Sequence, residues 1–242
     1  MANIIAGKFD VQLRQWARQA RQDGIPFMFD FAVEMNGKWF PWNGYWNGGG
    51  GKMGYGDPSL PDGPERYRDA YRHIINIFRQ EKVNHVTWMF HAAMDMDEPT
   101  DRWNEPKNYY PGDDYIDWIG VSIYGAQNTG ENYWDSFGDV VSYRGAYQKL
   151  AAVSSTKPIA ILELGVTDQH PLGDKADWLK GAFDDIKTNK YLNFQALTYW
   201  HENWDDNGHP AAIRIDSSPA ALAAFQNGIK DDIYISTARF SH

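Results

Sequence analysis

Apolar residues recur along this chain in two rhythms. Over residues 9–23 the positions Leu13, Trp16, Ala17 and Ala20 fall at helical spacing, and Gly24 and Pro26 stop the pattern. The run Pro26-Phe-Met-Phe-Asp-Phe-Ala-Val-Glu34 is apolar nearly throughout and too short for a helix, so it predicts a buried strand ending on Glu34. Residues 43–63 hold eight glycines and read as a flexible loop. Behind Pro64, Tyr67, Tyr71, Ile74, Ile75 and Phe78 mark one face of a helix. Four more apolar runs follow as strands: His85-Val-Thr-Trp-Met-Phe-His91, Asp117-Trp-Ile-Gly-Val-Ser-Ile-Tyr124, Lys157-Pro-Ile-Ala-Ile-Leu-Glu-Leu164 and Asn193-Phe-Gln-Ala-Leu-Thr-Tyr-Trp200. Between the last two, Asp174 is a predicted N-cap, and Leu179, Ala182, Phe183 and Ile186 form an apolar stripe. Ser218-Pro219 opens a final helix carrying Leu222, Phe225 and Ile229.

Strands apolar on both faces and separated by helices imply an α/β fold with a covered parallel sheet. A (β/α) barrel and a doubly wound sheet both satisfy this. No G-x-G-x-x-G or G-x-x-x-x-G-K-[ST] follows a strand, which disfavours nucleotide binding; Gly48-Gly-Gly-Gly51 lacks the Lys-Ser/Thr ending of a phosphate cradle. At 242 residues the chain fits one large α/β domain or two small ones, and it is taken as one domain over residues 1–242. A net charge of -9 without a Lys/Arg cluster argues against nucleic acid and favours a neutral substrate. The absence of cysteine rules out disulfides and thiolate metal sites. No apolar run reaches membrane-spanning length, and Met1 is followed at once by Ala2-Asn3-Ile4 without a signal-peptide pattern. Aromatic residues make up 15%, with eleven Trp, enough either to fill a core or to line a sugar cleft.

In a barrel the C-terminal strand ends face the active site. Glu34, His91, Tyr124, Glu163 and Trp200 sit at or near the ends of the five runs. Two carboxylates at strand ends match the pair that glycoside hydrolysis needs, one to protonate the leaving oxygen and one to attack or to activate water. A separation of about 5–5.5 Å gives retention, and about 6.5–9.5 Å gives inversion.

The stretch Glu34-Met-Asn-Gly-Lys-Trp39-Phe-Pro-Trp42 resembles the acid/base motif of glycoside hydrolase family 26, in which E-M-N-G-x-W-x-P-W follows the fourth barrel strand. Tyr110-Pro-Gly-Asp-Asp-Tyr-Ile-Asp-Trp-Ile-Gly-Val-Ser-Ile-Tyr124 resembles that family's sixth strand and its approach. Lys157-Pro-Ile-Ala-Ile-Leu-Glu163-Leu-Gly165 resembles its nucleophile strand, and Gly173-Asp-Lys-Ala-Asp-Trp178 the helix after it. The resemblance implies a (β/α)8 barrel in which Glu34 is the acid/base, Glu163 the nucleophile, and Tyr124 a hydrogen-bond partner that keeps the nucleophile ionised. It implies Trp200 as a sugar platform, Trp39 and Trp42 as cleft walls, and Asn36 and His91 as further substrate contacts. It also implies a secreted enzyme acting on β-1,4-mannan, mixed-linkage β-1,3-1,4-glucan or β-1,3-xylan, with no cofactor. Two positions depart from the family pattern: Val33 stands where His is common, and Asp30 where Arg is common.

Only strands four to eight of the barrel are recognised, so the barrel reads as incomplete. Exposed sheet edges would then invite self-association, and Asp232-Ile-Tyr-Ile-Ser-Thr237 is a candidate extra strand to cover one. A non-catalytic sugar-binding barrel is the competing reading. The remaining acids carry blander expectations: Asp95, Asp97 and Glu98 form a solvated loop, Asp205-Asp206-Asn207-Gly208 a turn, and no His pair has metal-ligand spacing. Trp88, Trp103, Trp118 and Trp178 are expected to pack rather than to bind sugar.

Overall fold

The computed structural model describes residues 1–94, 102–191 and 193–235. Strands β1 (Phe27–Asp30), β2 (Val86–Ala93), β3 (Trp118–Tyr124), β4 (Ile159–Gly165) and β5 (Phe194–Leu197) form one sheet in that order, and β6 (Asn203–Asp206) and β7 (His209–Ala212) form a hairpin. The helices are α1 (Ala2–Ile5), α2 (Asp10–Asp23), α3 (Asp62–Gln80), α4 (Pro106–Tyr109), α5 (Phe137–Ser142), α6 (Ala146–Ala151), α7 (Lys175–Lys187) and α8 (Pro219–Gly228). β1 pairs with β2, and β2 with β3, in parallel. Strand order follows chain order without a reversal. A doubly wound sheet has a switch point where the order reverses, so the sheet is of the singly wound, barrel type.

Packing divides the chain into two compact units, Met1–Ser122 with Gly145–Leu162, and Ile123–Arg144 with Glu163–His242. In the first unit the apolar face of α3 buries Tyr67, Tyr71, Ile74, Ile75 and Phe78, as its spacing predicts. Trp88 lies edge-on to Phe78 at 5.4 Å and is 6% exposed, a core residue. In the second unit Trp178 of α7 is buried and donates its indole N–H to Asp135 O. The predicted caps are present: Asp174 accepts from Asp177 N, and Ser218 accepts from Ala221 N with Pro219 in the first turn.

Four expectations are corrected or narrowed. The first strand stops at Asp30, and β5 stops at Leu197, each shorter than its apolar run. Both lie at the ends of the sheet order, where a strand finds one neighbour rather than two. The glycine-rich loop is clamped, not loose. Asp62 Oδ2 accepts from Gly54 N at 2.9 Å, and Glu65 accepts from Asp57 N. Arg66 donates to Asn47 O and Gly54 O. The described part of the candidate C-terminal strand, residues 232–235, is turn and bend. Ser236 and Thr237, like Asp95, Asp97 and Glu98, lie outside the described residues. The turn at Asn207-Gly208 holds two positive φ angles, 54° and 88°, and closes the β6–β7 hairpin.

Candidate active site

Glu34 belongs to the first unit. It does not end a strand; it follows β1 by four residues, in a left-handed turn with φ of 51° at Ala32 and 54° at Glu34. Non-glycine residues adopt that region at a cost of about 1–2 kcal/mol, so surrounding bonds must hold it. The backbone N–H of Glu34 donates to His91 O at 2.9 Å. Tyr67 Oη donates to Phe31 O, and Trp42 Nε1 donates to Val33 O at 2.8 Å. The Glu34 side chain accepts from Trp39 Nε1 at 2.6 Å on Oε2. Trp39 stays 48% exposed, open to a ligand on its outer side. Trp42 is half-buried and stacks on Phe40 at 4.3 Å.

Two expected substrate contacts turn out to be buried supports. Asn36 is 3% exposed: its Nδ2 donates to Ala93 O, and its Oδ1 accepts from Ala93 N at 2.8 Å. The side chain therefore imitates a strand neighbour for the end of β2. His91 is 1% exposed, with Nδ1 at 2.6 Å from Asp30 Oδ2 and Nε2 at 2.8 Å from Ser122 Oγ. Its ring bridges three strands and has no face turned to a ligand. Asp–His–Ser contacts in this order match a hydrolytic triad in connectivity. Ser122, however, is 4% exposed and is not an attacking group. Asp30, anomalous as a sequence position, is thus the carboxylate partner of a buried imidazole. The sequence held a signal for Ser122, a small hydroxyl residue between Val121 and Ile123 in the interior of an apolar run.

The second unit holds Glu163, Tyr124 and Trp200. Tyr124 Oη donates to Glu163 Oε2 at 2.7 Å, the contact the resemblance implied. Gly165 allows this approach: a Cβ there would stand 3.1 Å from the Tyr124 ring and 2.6 Å from Ile213. Trp200 N donates to Leu164 O at 3.0 Å, and the Trp200 ring is 38% exposed. The neighbours of Trp200 are fixed to residues 213–215: Tyr199 Oη donates to Ile213 O, and His201 Nδ1 accepts from Ile215 N. That segment is gathered by Lys175, which sequence reasoning passed over. Its Nζ donates to the carbonyls of Ala212, Ile213 and Arg214 at 2.9, 2.7 and 2.8 Å and to Ser217 Oγ. Burial lowers the Lys175 ammonium to about 8, with nearby Asp168 and Asp216 opposing the shift. Among the described residues, no three His, Asp or Glu side chains gather as a metal site, and no helix is long and apolar enough to cross a membrane.

Residues 2–201 match the family model described as glycosyl hydrolase family 26. The chain belongs to glycosyl hydrolase family 26. Endoglucanase H of Acetivibrio thermocellus is 32% identical over 229 residues, covering 94% of this chain and 23% of that protein. A mannan endo-1,4-beta-mannosidase of Bacillus subtilis is 24% identical over 188 residues, 77% of this chain and 42% of that protein. The chain therefore spans less than half the length of these two relatives. Among solved structures, the catalytic domain of the Bacillus sp. JAMB-750 GH26 endo-beta-1,4-mannanase aligns with a TM-score of 0.62 at 21% identity, over 94% of this chain and 57% of that one. A Cellulomonas fimi endo-beta-1,4-mannanase double mutant aligns with a TM-score of 0.63 at 20% identity, over 94% and 47%. At that identity the likeness establishes the family 26 fold, of which the five-stranded parallel sheet is a part.

Proposed function

We propose that this family 26 chain is a retaining endo-β-glycanase acting on β-1,4-mannan or mixed-linkage β-1,3-1,4-glucan. Glu34 is assigned as general acid/base and Glu163 as nucleophile. The observation that carries the reading is the 2.7 Å hydrogen bond from Tyr124 Oη to Glu163 Oε2. A donated O–H favours the ionised carboxylate, the form that attacks an anomeric carbon. In the first step Glu34 gives its proton to the departing glycosidic oxygen while Glu163 forms a glycosyl ester. In the second, Glu34 takes a proton from water, the water oxygen bonds to the anomeric carbon, and the ester to Glu163 breaks. Two inversions leave the β configuration unchanged.

Exposed Trp39 and Trp200 are assigned as sugar-stacking faces, with half-buried Trp42 shaping the wall behind. The substrate range follows the relatives: one is named an endoglucanase and another a mannan endo-1,4-beta-mannosidase. The test is reducing-sugar release from mannan, glucomannan, lichenan and β-1,3-xylan, with Glu163→Ala alongside and the anomer of the first product read by NMR. Release of β product that disappears in the variant is expected. A folded protein that binds these polymers and cleaves none of them is instead a sugar-binding barrel.

A further inference from the structure

The reading of Glu34 as acid/base raises the question of what holds a glutamate in a left-handed turn. We infer that the Asp30–His91–Ser122 chain, buried at His91 and Ser122, is the device that positions Glu34, so that His91 is a positioning residue for proton transfer. The inference rests on the assignment of Glu34 proposed above.

The last residue of β1, Asp30, places its carboxylate 2.6 Å from His91 Nδ1, which fixes the proton on that nitrogen. On the other side of the ring Nε2 meets Ser122 Oγ of β3 at 2.8 Å. The imidazole thus ties together the rims of three adjacent strands. The main chain of the same residue holds the catalytic turn, because His91 O accepts the Glu34 N–H at 2.9 Å. Two residues further along β2, Ala93 exchanges two hydrogen bonds with the Asn36 side chain. The turn carrying Glu34 is therefore fastened to β2 at His91 and again at Ala93.

Packing alone does not explain such a chain. Burying an imidazole and a hydroxyl costs desolvation, and apolar side chains would fill the space of His91 and Ser122 at lower cost; the Asp30 carboxylate stays at the exposed end of the chain. What the polar chain adds is direction: it sets the rotation of β2's rim, and with it the carbonyl that restrains Glu34 N. The exposures of His91 and Ser122, 1% and 4%, leave neither a sugar contact nor room for a nucleophile. Misplacing a proton donor by about 1 Å costs on the order of 10²-fold in rate, so loosening this chain should weaken proton transfer specifically.

Leaving-group dependence provides the test. A 2,4-dinitrophenyl β-glycoside of the sugar that the active polymer contains needs no protonation to depart, and added azide replaces activated water in the second step. Glu34→Ala, Asp30→Asn, His91→Asn and Ser122→Ala are assayed on polymer and on this glycoside with azide, each with a thermal melt. Glu34→Ala should lose polymer hydrolysis and keep turnover of the activated glycoside, releasing the β-glycosyl azide. Asp30→Asn and His91→Asn should follow the same pattern in milder form. They should lose about 10- to 100-fold on polymer and little on the activated substrate. Equal losses on both substrates, or full activity on both, would overturn the inference. If Glu34→Ala itself fails to show the pattern, it is the assignment of Glu34 that falls, whatever the other variants do. Should His91→Asn fail to fold, Asp30→Asn and Ser122→Ala decide the matter.

Discussion

The indole N–H of Trp39 reaches Glu34 because residue 37 carries no side chain: a Cβ there would sit 2.3 Å from the Trp39 ring. Gly37→Ala should therefore push the indole aside, and Trp39→Phe should delete its donor. Both are expected to lower kcat on polymer, and only Trp39→Phe should leave the indole-free turn otherwise in place, seen as an unchanged melting temperature. Tyr124→Phe removes the bond to Glu163 Oε2. A hydrogen bond to a charged group contributes about 1.5–3 kcal/mol, so a loss of roughly 10- to 150-fold in kcat/KM is expected. The candidate site was partly legible in the sequence. Glu34, Tyr124, Glu163 and Trp200 stand out because polar or very large side chains close apolar runs. The burial of Asn36 and His91 was not legible, because it depends on which strands become neighbours. The motif that flags Asn36 is the same whether its amide meets a sugar or the backbone of Ala93.

At the scale of elements, apolar runs located all five strands of the sheet, and cap chemistry located the starts of α7 and α8. The β6–β7 hairpin escaped because its strands are short: Asn203–Asp206 is mostly polar, and His209–Ala212 holds only a proline and two alanines beside its histidine. The glycine-rich loop looked loose because its anchors, Asp62, Glu65 and Arg66, belong to the first turns of α3. Elsewhere, single side chains tie loops in ways that can be measured. Lys175→Met should remove one donor from each of three carbonyls and from Ser217 Oγ, leaving Asp168 N on Ala212 O, Tyr199 Oη on Ile213 O and Ser217 N on Arg214 O, at a cost of about 1–3 kcal/mol in denaturant unfolding. Because Trp200 is flanked by residues bonded to that segment, the same variant should also raise KM for polymer. Asp113 binds the approach to β4 by accepting from Thr156 Oγ1 at 2.8 Å and Ser154 Oγ at 3.0 Å. The Thr156 hydroxyl, with that of Tyr110 next, holds the Asp113 carboxyl below its ordinary value. The stability from this shift is present above the unfolded carboxylate value of about 3.9 and is lost as pH falls through the lowered native value. Asp113→Asn should therefore melt earlier than the parent at neutral pH, and the gap should close in acid.

On the scale of the whole molecule, β1 ends the sheet and exposes apolar side chains: Met28 is 62% exposed, and Ile25 just before it 68%. α2 adds Val11, 76% exposed, and Trp16, 46% exposed. Unpaired strand edges beside apolar surface favour chain–chain pairing. Light scattering should give a mass above the 27.7 kDa of one chain, and Met28→Lys should return it toward that value; a monomer at all concentrations would defeat this expectation. The covered parallel sheet was legible from the sequential βα units and the barrel from the resemblance to family 26, whereas the exposed side of β1 was not, since the run Pro26–Glu34 is apolar nearly throughout. The left-handed turn at Glu34 bears on how such a protein changes over generations. Left-handed backbone suits glycine, and then asparagine, better than glutamate, so mutation alone would drift residue 34 toward them and gain stability. A lineage that had stopped cutting polysaccharide would have no force opposing that drift. Under the role proposed for Glu34, chemistry would oppose that drift, at the expense of a stability that the rest of the first unit must supply.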